Sequence, residues 1–223
     1  LDSTRDGRGV VCFDYDNDGW IDVYFLNGAP LPGTKLDYVP KNRLFRNLGD
    51  FHFVDVTEAS GAGDVGYGLG VAAGDYDNDG YLDLYVTNFA RFNYQPDLPP
   101  PSPSSPCRMK GVPIACPPDK YQGTQDLLYH NNGDGTFSEV GQLMGISNTD
   151  WSWSALFADF DGDGWKDLFV SNGYEKDYTN MQFLKYTVDE RIKSRQTGTS
   201  PTVEQIIGQM PSIQVGNFLF RNN

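Results

Sequence analysis

The chain has 223 residues, enough for one large β domain or two small ones. Its formal net charge is −13 and its 17 Lys and Arg form no run, which excludes the basic face that nucleic acid requires. No apolar run approaches the ~20 residues of a membrane helix, and 25 Gly, 14 Pro, 14 Phe, 13 Tyr and 4 Trp suit a turn-rich all-β protein.

The chain starts at Leu1 without an initiator Met or a signal peptide, so a processed or fragmentary chain is expected. Residues 9–14 and 20–27 read as strands, apolar on successive residues (Val10, Val11, Cys12, Phe13; Val23, Tyr24, Phe25, Leu26) and therefore expected to be buried on both faces. Cys12 is expected to be a buried thiol. Between the two strands lies Asp14-Tyr15-Asp16-Asn17-Asp18-Gly19-Trp20-Ile21-Asp22. A Pro/Gly-rich loop covers 28–42. Two short strands follow, Arg43–Arg46 and Phe53–Val56, joined by a turn at Leu48-Gly49-Asp50.

The same order then recurs. Strands at 69–75 and 81–88 bracket Asp75-Tyr76-Asp77-Asn78-Asp79-Gly80-Tyr81-Leu82-Asp83. An insert at 90–125 contains Asp97-Leu-Pro-Pro-Pro-Ser-Pro-Ser-Ser-Pro106, which is expected to run extended and irregular. Strands at 127–130 and 136–140 close the second unit. A third unit gives strands at 153–159 and 167–171 around Asp159-Phe160-Asp161-Gly162-Asp163-Gly164-Trp165-Lys166-Asp167. Its insert, 173–216, carries a helix placing Met181, Leu184, Val188 and Ile192 on one stripe, then a short helix from Pro201 through Ile207. Asn217-Phe-Leu-Phe-Arg-Asn222 matches Asn42-Arg-Leu-Phe-Arg-Asn47 and is the last strand present.

The three acidic loops carry the chemistry. Each sets carboxylates at positions 1, 3, 5 and 9, glycine at 6 and an aromatic residue at 7. Four carboxylates so close repel one another unless a cation sits among them. An all-oxygen donor set with no His or Cys in the loop suits Ca²⁺. The expected ligands are Asp14, Asp16, Asp18, the Trp20 carbonyl and Asp22; Asp75, Asp77, Asp79, the Tyr81 carbonyl and Asp83; and Asp159, Asp161, Asp163, the Trp165 carbonyl and Asp167. An EF-hand would place Glu at position 12 between helices, but here position 12 is Phe25, Val86 and Val170 and the flanks are strands. Twelve of the 30 acidic residues lie in these loops, so three Ca²⁺ would reduce the net charge to about −7. The bland alternative is an acidic hairpin turn without metal, which three complete copies disfavour.

The first aspartates lie 61 and then 84 residues apart, but removing the inserts 28–42 and 90–125 leaves 46 and 48. A constant four-stranded unit of that length is a propeller blade. The expected blades cover about 9–56, 69–140 and 153–223, the last without its fourth strand, within a single partial propeller domain spanning 1–223. We label the strands of a blade A to D; the acidic loop joins A to B, and the insert joins B to C.

The unit Gly70-Val-Ala-Ala-Gly-Asp75-Tyr-Asp-Asn-Asp-Gly-Tyr-Leu-Asp-Leu-Tyr-Val-Thr-Asn88 resembles the FG-GAP (VCBS-type) repeat, also found in integrin α-subunit propellers. Asn42–Asn47, Leu128-Tyr-His-Asn-Asn-Gly-Asp-Gly-Thr-Phe137 and the Cys-bearing insert resemble the ASPIC/UnbV group and the related cartilage acidic protein. The resemblance implies a secreted or periplasmic, calcium-bound propeller, often of about seven blades, whose ligands map onto the twelve aspartates. Three blades cannot close a ring, so further blades are expected from additional sequence or another chain.

Cys107 and Cys116 flank a Pro-rich loop and are expected to form a disulfide, which implies an oxidising compartment. Strand alternation sends the inserts to the face opposite the acidic loops, and Arg91, Phe92, Tyr94, Tyr121, Trp151, Trp153, Tyr174 and Tyr178 are the candidates there for stacking on a glycan or anchoring a protein. For each aromatic, packing of the insert onto the propeller is the competing role. His52 and His130 have no evident nucleophile partner. The expected function is a non-catalytic extracellular binding, adhesion or structural module. The alternatives are a propeller-based polysaccharide lyase or hydrolase, or a subunit of a larger assembly or filament that pairs at an open strand edge.

Overall fold

The computed structural model describes residues 5–30, 38, 40–66, 68–88, 108–113, 125–149, 151–173, 175–177, 180–212 and 214–223. They fall into two compact units, one of Leu1–Phe92, Gly123–Gly173 and Gly216–Asn223, the other of Asn93–Gln122 and Tyr174–Val215.

The first unit contains three antiparallel sheets. Strands β1 (Arg5–Phe13), β2 (Asp22–Pro30), β3 (Arg43–Asn47) and β4 (Phe53–Asp55) form one sheet in chain order. A one-turn helix α1 (Thr57–Ser60) leads to β5 (Gly68–Gly74) and β6 (Asp83–Asn88). These pair with β9 (Leu127–Asn131) and β10 (Phe137–Glu139) in the order β5-β6-β9-β10. The third sheet is β11 (Ser152–Ala158), β12 (Asp167–Asn172) and β13 (Phe218–Phe220), three strands among the described residues. The first two sheets run in the order A to D and the third holds A to C among the described residues, and the A strands β1, β5 and β11 lie side by side.

Strand alternation explains the two cores. Phe13, Tyr15, Tyr24, Leu26 and Leu44 project from the first blade onto Leu84, Val86, Tyr129 and Phe137 of the second. Tyr85 and Leu128 project from the opposite face of the second blade onto Leu168 and Val170 of the third. Strand β6, in the middle of the second blade, is thus buried along its whole length because a blade lies on either side. Tyr15, at position 2 of the first loop, stacks on Phe137 with ring centroids 6.1 Å apart.

The terminal blades show the consequence. Cys12 is exposed, against the sequence expectation of a buried thiol. It alternates with the buried Phe13, so it stands on the face of β1 turned away from the second blade. Val10, two residues earlier, is 54% exposed for the same reason. On the third blade the outward positions Leu156 and Leu219 are 53% and 59% exposed, whereas Leu44 and Leu128, which correspond to Leu219 in the other blades, are buried.

The second unit contains β7 (Arg108–Met109) and β8 (Val112–Pro113), a hairpin turning through Lys110 and Gly111 at φ 49° and 78°. The 90–125 insert is therefore not wholly irregular. Residues 97–106, expected to be extended, lie outside the described residues. Helix α2 (Met181–Thr197) starts on the side chain of Asn180, which accepts from the amides of Gln182 and Phe183. Its buried residues are Phe183 and Val188, while Met181 is exposed in the first turn, so the expected stripe holds only in part. Helix α3 (Val203–Gly208) starts two residues after Pro201, because Thr202 and Gln205 form a capping box.

Blade spacing depends on residues without side chains. A β-carbon on Gly70 would lie 2.6 Å from the Trp153 carbonyl oxygen and 2.8 Å from the Ser154 Cα, both backbone atoms of β11. Gly70→Ala is therefore expected to destabilise the first unit by about 1–3 kcal/mol, whereas Gly216→Ala, with nothing within 4 Å, leaves the thermal midpoint unchanged. Calorimetric melts of the two variants check this.

Candidate metal centres

Each acidic loop is a compact turn built by its own carboxylates. The position-1 carboxylate accepts from the amides of positions 5 and 6: Asp14 from Asp18 and Gly19 at 3.1 and 2.9 Å, Asp75 from Asp79 and Gly80 at 3.2 and 3.1 Å, and Asp159 from Asp163 and Gly164 at 3.1 and 2.9 Å. The position-5 carboxylate accepts from the amide of the aromatic residue: Asp18 from Trp20, Asp79 from Tyr81 and Asp163 from Trp165, at 2.8–2.9 Å. The position-6 glycines Gly19, Gly80 and Gly164 have φ of 89–92°, which a side chain would strain.

The position-9 aspartates are sealed. Asp22, Asp83 and Asp167 are at most 2% exposed. One oxygen of each accepts from the position-2 amide (Tyr15, Tyr76, Phe160) at 3.0 Å. The other accepts from the amide of the asparagine that follows strand C or ends it (Asn47, Asn131, Asn222) at 2.7–2.9 Å. Burial raises the pKa of Asp22, and it pushes Asp83 up to about 6.

The turns bring carboxylates together in three groups: Asp14, Asp16 and Asp18; Asp75, Asp77 and Asp83; and Asp159, Asp161 and Asp167, each with one oxygen per residue within 4.8 Å of the others. Asp77 and Asp79 also converge with His130. Within the first two loops the position-3 carboxylates present an unsatisfied atom, since Asp16 Oδ1 and Asp77 Oδ1 are buried and accept no hydrogen bond. A buried carboxylate oxygen with no donor is costly. A hard divalent cation would satisfy it, and the three carboxylate groups fit one, with the His130 nitrogen beside the second.

A basic residue faces each loop; sequence reading placed His130 on the face of the acidic loops but missed its carboxylate partners, and it missed Arg46 and Arg221 altogether. Arg46 Nε and Nη2 lie 2.7 and 2.9 Å from Asp16 and Asp18. Arg221 lies 2.6 and 3.6 Å from Asp161 and Asp163. His130 Nδ1 lies 3.2 Å from Asp77 and 3.4 Å from Asp83. All three directly precede the asparagine that seals position 9, so aligning the three strand C segments would have exposed them.

The far end of strand B is pinned in the same way. The amides of Asn27, Asn88 and Asn172 donate to the side chains of Asn42, Asp126 and Asn217 at 2.7–2.9 Å. These bonds close the mouth of each insert at the end of the sheet opposite the acidic loops. In the second blade Asp126 also accepts from the hydroxyls of Thr149, Ser152 and Tyr85 at 2.6, 2.7 and 3.2 Å, and burial raises its pKa.

Of the candidate ligand face, Trp151 and Trp153 are described. The Trp151 carbonyl accepts from the Gly173 amide at 3.1 Å, and Trp153 Nε1 donates to the Gly173 carbonyl at 2.7 Å. Both therefore hold the entrance of the third insert. Arg91, Phe92, Tyr94, Tyr121, Tyr174 and Tyr178, together with Cys107 and Cys116, lie outside the described residues.

The Asp83 shift has a pH signature. Its carboxyl goes from an ordinary 3.8 to about 6 on folding, so the fold favours the neutral form. In ion-free protein this group's contribution to stability is full below pH 3.8 and is lost as pH rises through about 6. Melts of the wild type and Asp83→Asn across that window are expected to differ in slope, the variant being flatter, and saturating Ca²⁺ is expected to remove the wild-type decline.

Comparison with known proteins agrees with this architecture. A model of the FG-GAP-like repeat matches residues 14–86 and 119–170, more than half of the chain, and spans all three loops. Cartilage acidic protein 1 of Homo sapiens is 27% identical over 197 residues, covering 74% of this chain and 30% of its own length, and the Mus musculus protein is 26% identical over the same shares. The chain thus spans less than a third of these relatives. The repeated strand–acidic loop–strand units and the family match together establish that the chain belongs to the FG-GAP-like repeat family.

Proposed function

We propose that the chain is a calcium-stapled part of a larger β-propeller that works outside the cytoplasm as a non-catalytic binding, adhesion or structural module. The observation that carries this reading is the state of the loops. All three gather carboxylates within 4.8 Å of one another, and two keep a buried carboxylate oxygen with no hydrogen bond, in an otherwise satisfied turn. Calcium here is structural. It neutralises charge that the fold concentrates at the A–B turns and locks each turn to strand C through the sealed aspartate. Extracellular modules bind calcium with dissociation constants of about 10⁻⁴–10⁻³ M, and the word cartilage in the relatives' name supports such a setting. The ligand, a protein or a glycan, docks on the opposite face, where inserts of unequal length leave the rigid sheets.

Terbium is expected to bind with emission sensitised by Trp20 and Trp165, Ca²⁺ to compete for about three sites, and EDTA to lower the melting temperature by several degrees. An EDTA melt identical to the calcium melt would contradict the structural role.

A second reading is favoured by the exposed apolar residues on the terminal blades, Val10 on one side and Leu156 and Leu219 on the other. Faces of this kind are covered by further blades, from a longer chain or from a second copy. Native mass spectrometry of the 223-residue chain is expected to show concentration-dependent self-association. A monomer at all concentrations would leave additional blades of the same chain as the cover.

A further inference from the structure

Adjacent loops are joined by side-chain hydrogen bonds that repeat from blade to blade. Asn17, at position 4 of the first loop, donates from Nδ2 to the carbonyl of Gly80 at position 6 of the second, at 2.9 Å. Asn78 donates to the Gly164 carbonyl of the third loop at 3.4 Å. Both asparagines sit in the left-handed region at φ 55° and 57°, where Asn is one of the better tolerated residues. A second link runs the other way. Asn131 Nδ2 donates to the Tyr15 carbonyl of the first loop at 2.7 Å, and Asn222 Nδ2 donates to the Tyr76 carbonyl of the second.

The atoms joined are those that shape the neighbouring centre. Gly80 shares a peptide with Tyr81, whose amide holds the Asp79 carboxylate. Asn131, which reaches back to Tyr15, also seals Asp83 through its own amide. Asn17 itself stands between Asp16 and Asp18. A cation drawing those two carboxylates together fixes Asn17 and, through it, the Gly80–Tyr81 peptide of the next loop. In the third loop position 4 is Gly162, at φ 78°, so this link has no onward side chain.

We propose that Asn17 and Asn78 are positioning residues for the neighbouring loop, so that the three centres fill cooperatively. This rests on the calcium reading above. Ordering one loop lowers the entropic cost of ordering the next, which is a coupling free energy between sites.

The test uses the 223-residue chain and terbium. Trp-selective excitation reports the first and third loops, which carry Trp20 and Trp165, while the second carries Tyr81. Asp77→Asn disables the second loop. In the otherwise unmodified chain it is expected to weaken terbium binding at the outer loops by about fivefold or more. In an Asn17→Gly/Asn78→Gly background, where both positions carry the residue found at 162, the same change is expected to shift them by less than about twofold. Equal shifts in the two backgrounds, or none in either, with emission retained, would overturn the coupling. Absence of emission in every variant would instead overturn calcium binding itself. Calorimetric titration of the unmodified chain with Ca²⁺ depends on no variant: an isotherm steeper than independent sites is expected, and one fitted by independent sites overturns the proposal.

Discussion

The fold depends on a buried carboxylate at the start of each B strand. Asp22, Asp83 and Asp167 are removed from water and must be satisfied inside the protein. Each is satisfied from two directions, by the amide just past the A strand and by the amide of an asparagine that follows strand C or ends it. One side chain thereby fixes the A–B turn, the register of B against C and the distance between them. Asp83 and Asp167 also belong to the acidic clusters, so in the second and third blades the fold and the proposed metal centre share a side chain. Any cation there acts on the sheet directly.

The opposite end of strand B repeats the device with Asn27, Asn88 and Asn172 held by Asn42, Asp126 and Asn217. Strand B is pinned at both ends to strand C, and the insert begins and ends at a closed hydrogen-bonded mouth. Insert length then has little influence on the sheet, because loop-closure entropy grows only slowly with length. This explains how the second and third blades can carry long inserts without a change of register. Such connections on a fixed frame are where binding specificity can change most freely.

Much of this was legible in the sequence. The acidic stretches at Asp14, Asp75 and Asp159 located the turns and the strands on either side of them, because strand alternation and the glycine at position 6 leave strong local patterns. Arg46 and Arg221 were not read, because each is remote in sequence from the loop it faces; His130 was placed on the face of the acidic loops, but not its approach to Asp77 and Asp83. The roles of Asn17 and Asn78 were hidden for a related reason: their partners, Gly80 and Gly164, belong to the next blade. Cys12 was misjudged because an apolar strand looks the same from sequence whether one or both faces are covered. Its exposure is set by which blade is its neighbour. The hairpin within the second insert rests on a two-residue turn, Lys110–Gly111, a weak signal beside the proline run that dominates that segment.

A cation in the acidic loop, as proposed, holds the sealed aspartate and, through it, strand C. Amide hydrogen exchange with and without Ca²⁺ reads this most directly, at the amides of Asn47, Asn131 and Asn222 and of Tyr15, Tyr76 and Phe160. Calcium is expected to slow exchange at these six amides, in all three blades, more than at the amides of Asn27, Asn88 and Asn172 at the far end of strand B. Equal protection at both ends with and without calcium would contradict it.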